Sequence, residues 1–229
     1  MKKVLLSLTT LGNPGNMEKQ IDDLAELGIK EFALFSSMLK ELERKDIFRL
    51  IESKIPGATI PFCHAKSDMR PEEFEYMIKK FETQKFNLHT EREHPVEHDI
   101  SAYKDRIYIE NTGGELLEND ISSYAGICLD TAHLTFAKLT NKKNYENTLK
   151  LLDKYKIGAN HISAIGEKYW NELAQDYRYD YHYLSDLNQL EYLKEIPKKY
   201  FSDLIAIELG NDIATQLKVK ERIEDIIGL

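Results

Sequence analysis

The sequence predicts an α/β protein of the (β/α)8 TIM barrel type, and three observations lead to this prediction. Eight short apolar runs recur along the 229 residues, amphipathic segments with helical spacing separate them, and no linker or internal repeat interrupts the alternation. Runs that are apolar at both alternating positions are typical of parallel strands covered on both faces. Alternating strands and helices favour a barrel or an open doubly wound sheet. With no linker in view, we expect a single domain over residues 1–229.

The eight predicted strands are short and are bounded by Gly, Pro or charged residues. In chain order they are Val4–Leu8, Phe32–Phe35, Thr59–Cys63, Phe86–His89, Ile107–Glu110, Gly126–Leu129, Ala159–Ser163 and Leu204–Leu209. Eight strands favour the barrel, because an open doubly wound sheet usually has fewer. The open sheet also often carries a Gly-rich phosphate loop after its first strand, and residues 11–15 do not match one.

The segments between the strands carry apolar residues at helical spacing. The four clearest helical patterns cover Met17–Leu27, 71–81, Tyr145–Tyr155 and Ala214–Ile227. Gly28 ends the first of them and Pro71 opens the second, as expected for helix termini. The fourth and fifth connections, Ser101–Asp105 and Asn119–Tyr124, are too short for full helices. We therefore expect a trimmed barrel with short or missing fourth and fifth helices.

Charge and cysteine content limit the classes of partner and compartment. The chain has 31 basic and 39 acidic side chains and a formal net charge of −8. That balance excludes a protein held to nucleic acid by net charge alone, although a basic or metal-bearing patch stays compatible with it. Its two cysteines form no disulfide framework, and no apolar stretch approaches the roughly 20 residues needed to span a bilayer. We expect a cytoplasmic protein without a membrane partner and leave its oligomeric state open.

Residues of the types that bind metal ions lie where the predicted strands end. They are His64, His89, Glu110, Asp130, His133, His161, His182 and Glu208. In (β/α)8 barrels the C-terminal strand ends build the active site. An ionised carboxylate near the barrel axis is unfavourable unless it is paired or bound to a metal. Imidazole and carboxylate ligands without thiolate suit Zn²⁺, Mn²⁺ or Fe²⁺, so we predict a divalent-metal centre at this rim.

Two segments, Ile109–Thr112 and Gly126–His133, resemble the core of the endonuclease IV family, a member of the xylose isomerase-like TIM barrels. Enzymes of that family cut the DNA backbone at abasic sites with three metal ions, usually zinc. The resemblance implies nine metal ligands, which here are His64, His89, Glu110, Asp130, His133, His161, Asp180, His182 and Glu208. It covers nearly the whole chain and is tight from about residue 107 to residue 139. The Asp-Thr-Ala-His motif within it also occurs in sugar isomerases and epimerases of this barrel class.

The resemblance further implies a role for each ligand and a class of substrate. Glu110 would bridge two ions and would be catalytic together with Glu208. Glu208, Asp130 and His161 would complete the ligands of that pair of ions. The third ion would be held by His133, Asp180 and His182. The implied cofactor is zinc, up to three ions, with Mn²⁺ or Fe²⁺ as alternatives, and the implied substrate is abasic DNA or a smaller phosphoester.

Several positions depart from the pattern of that family. Lys40 stands where an Arg is usual after the second strand, and Ser67 stands where a Tyr is usual after the third-strand His. Both positions belong to loops that handle DNA in that family. Tyr181 replaces the Arg usual between Asp180 and His182. We therefore expect the metal chemistry to be retained and leave the substrate open between DNA and a smaller molecule.

Two other functions stay open. A sugar isomerase or epimerase with one Mn²⁺-type ion would take its ligands from Glu110, Asp130, His161 and Glu208. Two of these carboxylates, Glu110 and Glu208, would then move a proton to and from carbon. This alternative gives no role to the remaining set of His64, His89, Asp180 and His182. A metal-binding barrel without catalytic activity is the third interpretation.

Aromatic residues concentrate in the segment from Tyr169 to Tyr183, which we expect to be a loop. It carries Trp170 and five of the 13 tyrosines. Such a loop could stack on bases or cap a sugar ring, and it could equally pack as a lid on the barrel mouth. His94 and His98 lie among acidic residues and are expected at the surface.

Overall fold

The computed structural model describes residues 2–10, 16–172 and 175–229, and its main sheet is a nearly closed parallel barrel. The strands are β1 Lys3–Leu5, β2 Ser7–Thr9, β3 Ala33–Phe35, β4 Phe62–His64, β5 Lys85–Leu88, β6 Ile107–Glu110, β7 Gly126–Asp130, β8 Ile157–Ile162, β9 Ala164–Asn171, β10 Asp176–Tyr181 and β11 Leu204–Ile207. Nine of the described strands form this sheet in the order β1-β11-β8-β7-β6-β5-β4-β3-β2.

The first predicted strand closes the barrel because it is broken into two halves. β1 pairs with β11, with Val4 opposite Ile205, and β2 pairs with β3, with Leu8 opposite Leu34. The two halves therefore occupy one barrel position, and the strands fill eight positions, as predicted. An open sheet would leave its edge strands unpaired, so this pairing excludes that alternative. Residues 11–15, where an open sheet would carry its phosphate loop, lie outside the described residues.

Helices cover the outside of the barrel. They are α1 Asn16–Glu26, α2 Glu41–Lys54, α3 Pro71–Phe81, α4 Glu118–Ile121, α5 Thr131–Thr140, α6 Lys142–Lys154 and α7 Ile213–Ile227, with 3-10 segments at Ser101–Arg106, Leu187–Glu195 and Lys198–Tyr200. The fourth connection holds only a 3-10 segment and the fifth only the four-residue α4, which confirms the trimmed barrel. Among the described helices, none is both long enough and apolar enough to cross a bilayer.

The apolar residues divide into two clusters, one on each side of the sheet. The larger cluster packs between the helices and the outer face of the strands. The smaller cluster fills the barrel and includes Phe35, Phe62 and Cys128. The ring of Phe35 lies 4.8 Å from the ring of His161, between centroids. The barrel interior therefore ends in an aromatic floor directly beneath the predicted metal ligands.

The aromatic segment after the seventh barrel strand is a β-hairpin, and the prediction of a loop was wrong. β9 and β10 pair antiparallel, and Trp170 lies opposite Tyr177 with ring centroids 5.2 Å apart. In β10 charged residues alternate with tyrosines over Asp176–Tyr181, which is the period-two pattern of a strand. Residues 173 and 174 lie outside the described residues. The hairpin projects from the C-terminal rim, so it brings further side chains to the site.

Candidate metal centre

The structure places all nine predicted ligands at the C-terminal rim of the barrel. The rim positions, in chain order, are the end of β4 for His64, just after β5 for His89, the end of β6 for Glu110, the end of β7 for Asp130, the first turn of α5 for His133, β8 for His161, β10 for Asp180, just after β10 for His182 and just after β11 for Glu208. The parallel strands deliver most of these side chains because their carboxyl ends meet at one rim.

Three of the nine residues, His64, His89 and Glu110, form what we term the outer group. Nε2 of His64 lies 3.2 Å from Oε2 of Glu110, and Nε2 of His89 lies 3.8 Å from the same oxygen. Nδ1 of His64 is 3.0 Å from the carbonyl oxygen of Ala65, so in the neutral ring this nitrogen carries the proton. Nε2 is then left with its lone pair toward Glu110, which is the state a metal ligand requires.

Glu110 also belongs to a second set, the inner group, which consists of Glu110, Asp130, His161 and Glu208. Nδ1 of His161 lies 3.4 Å from Oε2 of Glu110 and 3.2 Å from Oε2 of Glu208. All four side chains are buried, and each group offers ligand atoms within 4.8 Å of one another. Two sets of ligands therefore meet at one shared carboxylate.

The inner group is suited to a divalent cation because several of its buried polar atoms have no hydrogen-bond partner. Both ring nitrogens of His161, Oδ2 of Asp130 and Oε2 of Glu208 are buried without a hydrogen-bond partner. His161 therefore lies close to both glutamates, but it forms no hydrogen bond with either of them. Buried polar atoms in native proteins are nearly always paired, and a cluster of unpaired nitrogen and oxygen atoms needs a further partner. An oxygen and imidazole set suits Zn²⁺, Mn²⁺ or Fe²⁺, and the identity of the metal is left open.

Side-chain amides fix the carboxylate of Glu110 and the backbone of Asp130. Nδ2 of Asn87 donates a 2.7 Å hydrogen bond to Oε2 of Glu110. Asn111 accepts from the backbone N–H of Asp130 at 2.8 Å and donates to its carbonyl oxygen at 2.9 Å. Oδ1 of Asp130 caps helix α5 by accepting from the backbone N–H of His133 at 2.7 Å, which leaves Oδ2 for a ligand. The sequence did not reveal these two asparagines as part of the site.

Burial and mutual contact shift the protonation of the site in opposite directions. Burial raises the pKa of Asp130 to about 6. Burial also raises the pKa of Glu208, but the contact with His161 outweighs it and lowers that pKa to about 2. Burial raises the pKa of Glu110 as well, but the contacts with His161 and His64 outweigh burial and lower this pKa well below its usual value. Burial lowers the pKa of His89 to about 4. Burial lowers the pKa of His161, but Cys128, Glu110 and Glu208 outweigh it and raise that pKa well above its usual value. At neutral pH the centre therefore presents ionised carboxylates and a neutral His89, and an ion that binds to the inner group would displace the proton of His161.

The third set of predicted ligands, His133, Asp180 and His182, is not assembled in the same way. Within the described ranges, both groups of ligand atoms that meet within 4.8 Å leave these three residues out. The rings of His133 and His182 are 6.4 Å apart between centroids. Asp180 instead receives a hydrogen bond of 2.7 Å from Nε of Arg178, a residue of β10 that the sequence did not single out.

A cavity of about 280 Å³ opens beside the outer group. Its lining includes Met38, Lys66, His89 and His94. The ring of His94 is exposed, as expected from the sequence, but it lies 5.1 Å from the ring of His89 and so faces this cavity. The cavity gives a small molecule direct access to the ligands of the outer group.

Comparison with known proteins identifies the fold. No protein-family profile matches the chain, and no curated protein does either. A solved xylose isomerase-like TIM barrel/4-hydroxyphenylpyruvate dioxygenase fusion protein matches with a TM-score of 0.53 at 12% identity, over 92% of this chain and 39% of that one. The fold is a xylose isomerase-like TIM barrel.

Two further solved structures of this kind cover nearly the full length of both chains. One is a xylose isomerase-like TIM barrel protein from Mycobacterium smegmatis in complex with magnesium, with 12% identity, a TM-score of 0.48 and coverage of 97% of this chain and 96% of that one. The other is an AP endonuclease, family 2, from Brucella melitensis, with 11% identity, a TM-score of 0.46 and coverage of 95% and 97%. Similarity at this level concerns the fold, so the activity of this xylose isomerase-like barrel has to be argued from its site.

Proposed function

We propose that this chain is a divalent-metal-dependent phosphoester hydrolase with an endonuclease IV-like centre of two ions. The observation that carries the proposal is the position of Glu110 in both ligand groups. Its Oε2 lies 3.2 Å from Nε2 of His64 and 3.4 Å from Nδ1 of His161. A carboxylate shared between two sets of ligands is what a two-ion centre needs, and such centres are typical of phosphatases and nucleases.

The residues of this chain supply the positioning that the reaction requires. Bound divalent ions would lower the pKa of water and neutralise the charge that develops on the phosphate. Glu110 would be held in place by the hydrogen bond from Asn87, and Glu208 would offer its unpaired Oε2 to an ion beside Nδ1 of His161. The buried floor beneath His161 keeps bulk water away from the inner group. The catalytic roles of Glu110 and Glu208 are part of this proposal.

The proposal favours a small phosphoester over abasic DNA. The cavity beside the outer group has about 280 Å³, close to the lower end for small-molecule sites. DNA would need several free cations at the rim, because bending the duplex or extruding its sugar costs a few kcal/mol. Arg70 is paired with Glu41 at 3.1 Å, and Lys138 with Glu195 at 2.7 Å. We therefore expect incision of abasic DNA to be slow and confined to low salt.

A sugar isomerase or epimerase is the second candidate, and the inner group favours it. Its four residues could by themselves supply all the protein ligands of a single ion. Glu110 and Glu208 both lie within 3.4 Å of His161, so two carboxylates would flank an ion that polarises a sugar, and either could move a proton at carbon. This function leaves the histidines of the outer group, His64 and His89, without a role.

One set of assays separates the two candidates. Metal-loaded protein is tested on bis(p-nitrophenyl) phosphate, on an abasic oligonucleotide across ionic strength, and on free aldoses and ketoses. We expect turnover of the phosphodiester that is lost on chelation and in Glu208→Gln. His64→Ala should reduce that turnover by at least about 10-fold, because it removes a ligand of the outer group. His98→Ala, which changes a histidine outside both groups, serves as the control.

The opposite pattern would replace the hydrolase by the isomerase. It consists of no cleavage of either phosphoester at any salt concentration, together with sugar turnover that survives His64→Ala and His89→Ala.

A further inference from the structure

A guanidinium lies where the third set of ligands would have to meet an ion. Nε of Arg178 donates to Oδ1 of Asp180 at 2.7 Å, and Nη2 donates to Oδ2 of the same carboxylate. Nη2 also lies 3.2 Å from Nδ1 of His133. Since a guanidinium only donates, Nδ1 of His133 is the acceptor in this contact. Two of the three residues expected to hold an ion are therefore engaged by one side chain.

The structure holds this guanidinium in place from several sides. Its Cζ lies 4.4 Å from the centroid of the Phe136 ring, a cation–π contact from helix α5. An ideal Cβ at Gly113 would lie 2.8 Å from Nη1 of Arg178, so a larger residue in the loop after β6 would require the guanidinium to shift. The side chain of Arg178 is 16% exposed and that of Asp180 is 3% exposed. These contacts distinguish Arg178 from a surface arginine that happens to lie near an acid.

An arginine in this position competes with a metal ion for both ligand atoms and charge. The forked pair with Asp180 engages both carboxylate oxygens, and the contact with His133 engages the lone pair of Nδ1, so that His133 keeps only Nε2 for an ion. A guanidinium stays charged at every physiological pH, so a dication at hydrogen-bond distance from it would be repelled. The residues present therefore do not fit a third ion while Arg178 occupies this position.

We propose that Arg178 takes the place of the third ion of the trinuclear arrangement, so that the centre binds two ions. This inference rests on the two-ion centre proposed above and concerns only the remaining set of ligands. Two dications and one guanidinium would carry +5 against −4 from Glu110, Asp130, Asp180 and Glu208. The occupied site is then positive enough to attract an anionic substrate, and one of its positive charges is independent of the metal supply.

The number of bound ions tests the proposal without any assay of activity. Metal-replete wild-type protein, Arg178→Met and Arg178→Gln are analysed by inductively coupled plasma mass spectrometry and by calorimetric titration with Zn²⁺. We expect two ions per chain in the wild type and three in both variants, because Asp180 and His133 are released to bind an additional ion. Arg92→Met is the matched control, since Arg92 also forms a forked pair, with Asp120, but lies at the surface.

Each outcome decides between the proposals. Three ions in the wild type, or no gain of one ion in the folded variants, would overturn the role of Arg178. One ion in the wild type and two in the variants would support the proposed role of Arg178 and would contradict the proposal of a two-ion hydrolase. If the variants fail to fold, anomalous diffraction from wild-type crystals soaked in Zn²⁺ gives the answer, because a peak between Asp180 and His133 contradicts the proposal.

Discussion

Asn87 donates a 2.7 Å hydrogen bond from Nδ2 to Oε2 of Glu110, and both side chains are buried. The same oxygen faces His64 and His161. Asn87 therefore fixes the rotamer of the one carboxylate that the two ligand groups share. A hydrogen bond to a metal ligand from outside the ligand set is a common way in which proteins tune metal affinity.

Replacing Asn87 by Ala should weaken metal binding and activity while leaving the fold intact. We expect a loss of about 10- to 100-fold in Zn²⁺ affinity, because Glu110 loses the contact that orients it. The affinity is measured by competition with a chromophoric chelator. Asn144→Ala provides the control, since Asn144 is also buried but donates to the carbonyl oxygen of Gly114. Equal losses of affinity in both variants would show that the effect of Asn87 comes from general destabilisation.

The sequence predicts the metal ligands at the strand ends better than it predicts the residues that form hydrogen bonds with those ligands. Each apolar run predicts a strand. A His or Glu at the end of such a run indicates a functional site, because these residues are rare in buried positions. Asn87 sits inside such a run, between Phe86 and Leu88, and only the strand register shows that it points into the barrel while its neighbours face the helices. An asparagine in a strand gives no signal of its own in the sequence.

The sequence analysis did not identify Arg178 as a site residue, because the strand that places it beside Asp180 was not predicted. Its contact with Asp180 depends on β10 being a strand, because residues two apart then share a face. In a loop, which is what the sequence analysis predicts for this segment, residues two apart have no such fixed relation. The alternation of aromatic and charged residues over Asp176–Tyr181 was the available signal, and a hairpin would have followed from it.

Glu110→Gln should affect both ions, whereas His89→Ala should affect one. Glu110 belongs to the outer and the inner group, and His89 only to the outer group. We expect Glu110→Gln to bind every ion at least about 10-fold more weakly and His89→Ala to retain one ion of unchanged affinity. Calorimetric titration of each variant with Zn²⁺ resolves the two cases. Independent loss of a single ion in Glu110→Gln would argue against a shared carboxylate.

Arg44 joins helices α2 and α3 through a buried ion pair, and its removal should strongly destabilise the protein. The side chain is fully buried, with Nε and Nη2 donating to the two oxygens of Glu73 at 2.8 and 2.9 Å. Arg44→Met leaves the buried Glu73 carboxylate without its guanidinium partner and with only the backbone N–H of Arg70 at 3.1 Å, which costs about 3–5 kcal/mol. Urea denaturation measures the loss in the free energy of unfolding.

The double variant Arg44→Met/Glu73→Leu provides the control for this pair. It removes both charges, so most of the lost stability should return. Metal content should stay at the wild-type value in both proteins, because the pair lies outside the two ligand groups. A double variant as unstable as Arg44→Met would mean that packing of the arginine side chain, and not the unpaired carboxylate, dominates the effect.

Cys63 and Cys128 should make the stability of the protein fall at alkaline pH. Both thiols are buried, and burial raises the pKa of Cys63 to about 12 and that of Cys128 to about 11. In the unfolded chain a thiol titrates near pH 8.5, so above that pH the unfolded state binds fewer protons than the folded state. The free energy of unfolding therefore decreases as pH rises from about 8.5 toward 11. The slope from two thiols is at most about 2.7 kcal/mol per pH unit.

The contribution of one thiol can be isolated by comparing the wild type with Cys63→Ala across that range. The variant loses packing between the strands and the helices, so it should be less stable at pH 7, but its decrease in stability with pH should be shallower by up to about 1.4 kcal/mol per unit. Urea denaturation at pH 7, 9 and 10 measures both effects. In the folded wild type at pH 8 the two protonated, buried thiols should also resist a disulfide reagent that labels them at once in guanidinium chloride. Parallel stability curves for the two proteins, together with rapid labelling of native protein, would show that these thiols are accessible and titrate normally in the folded barrel.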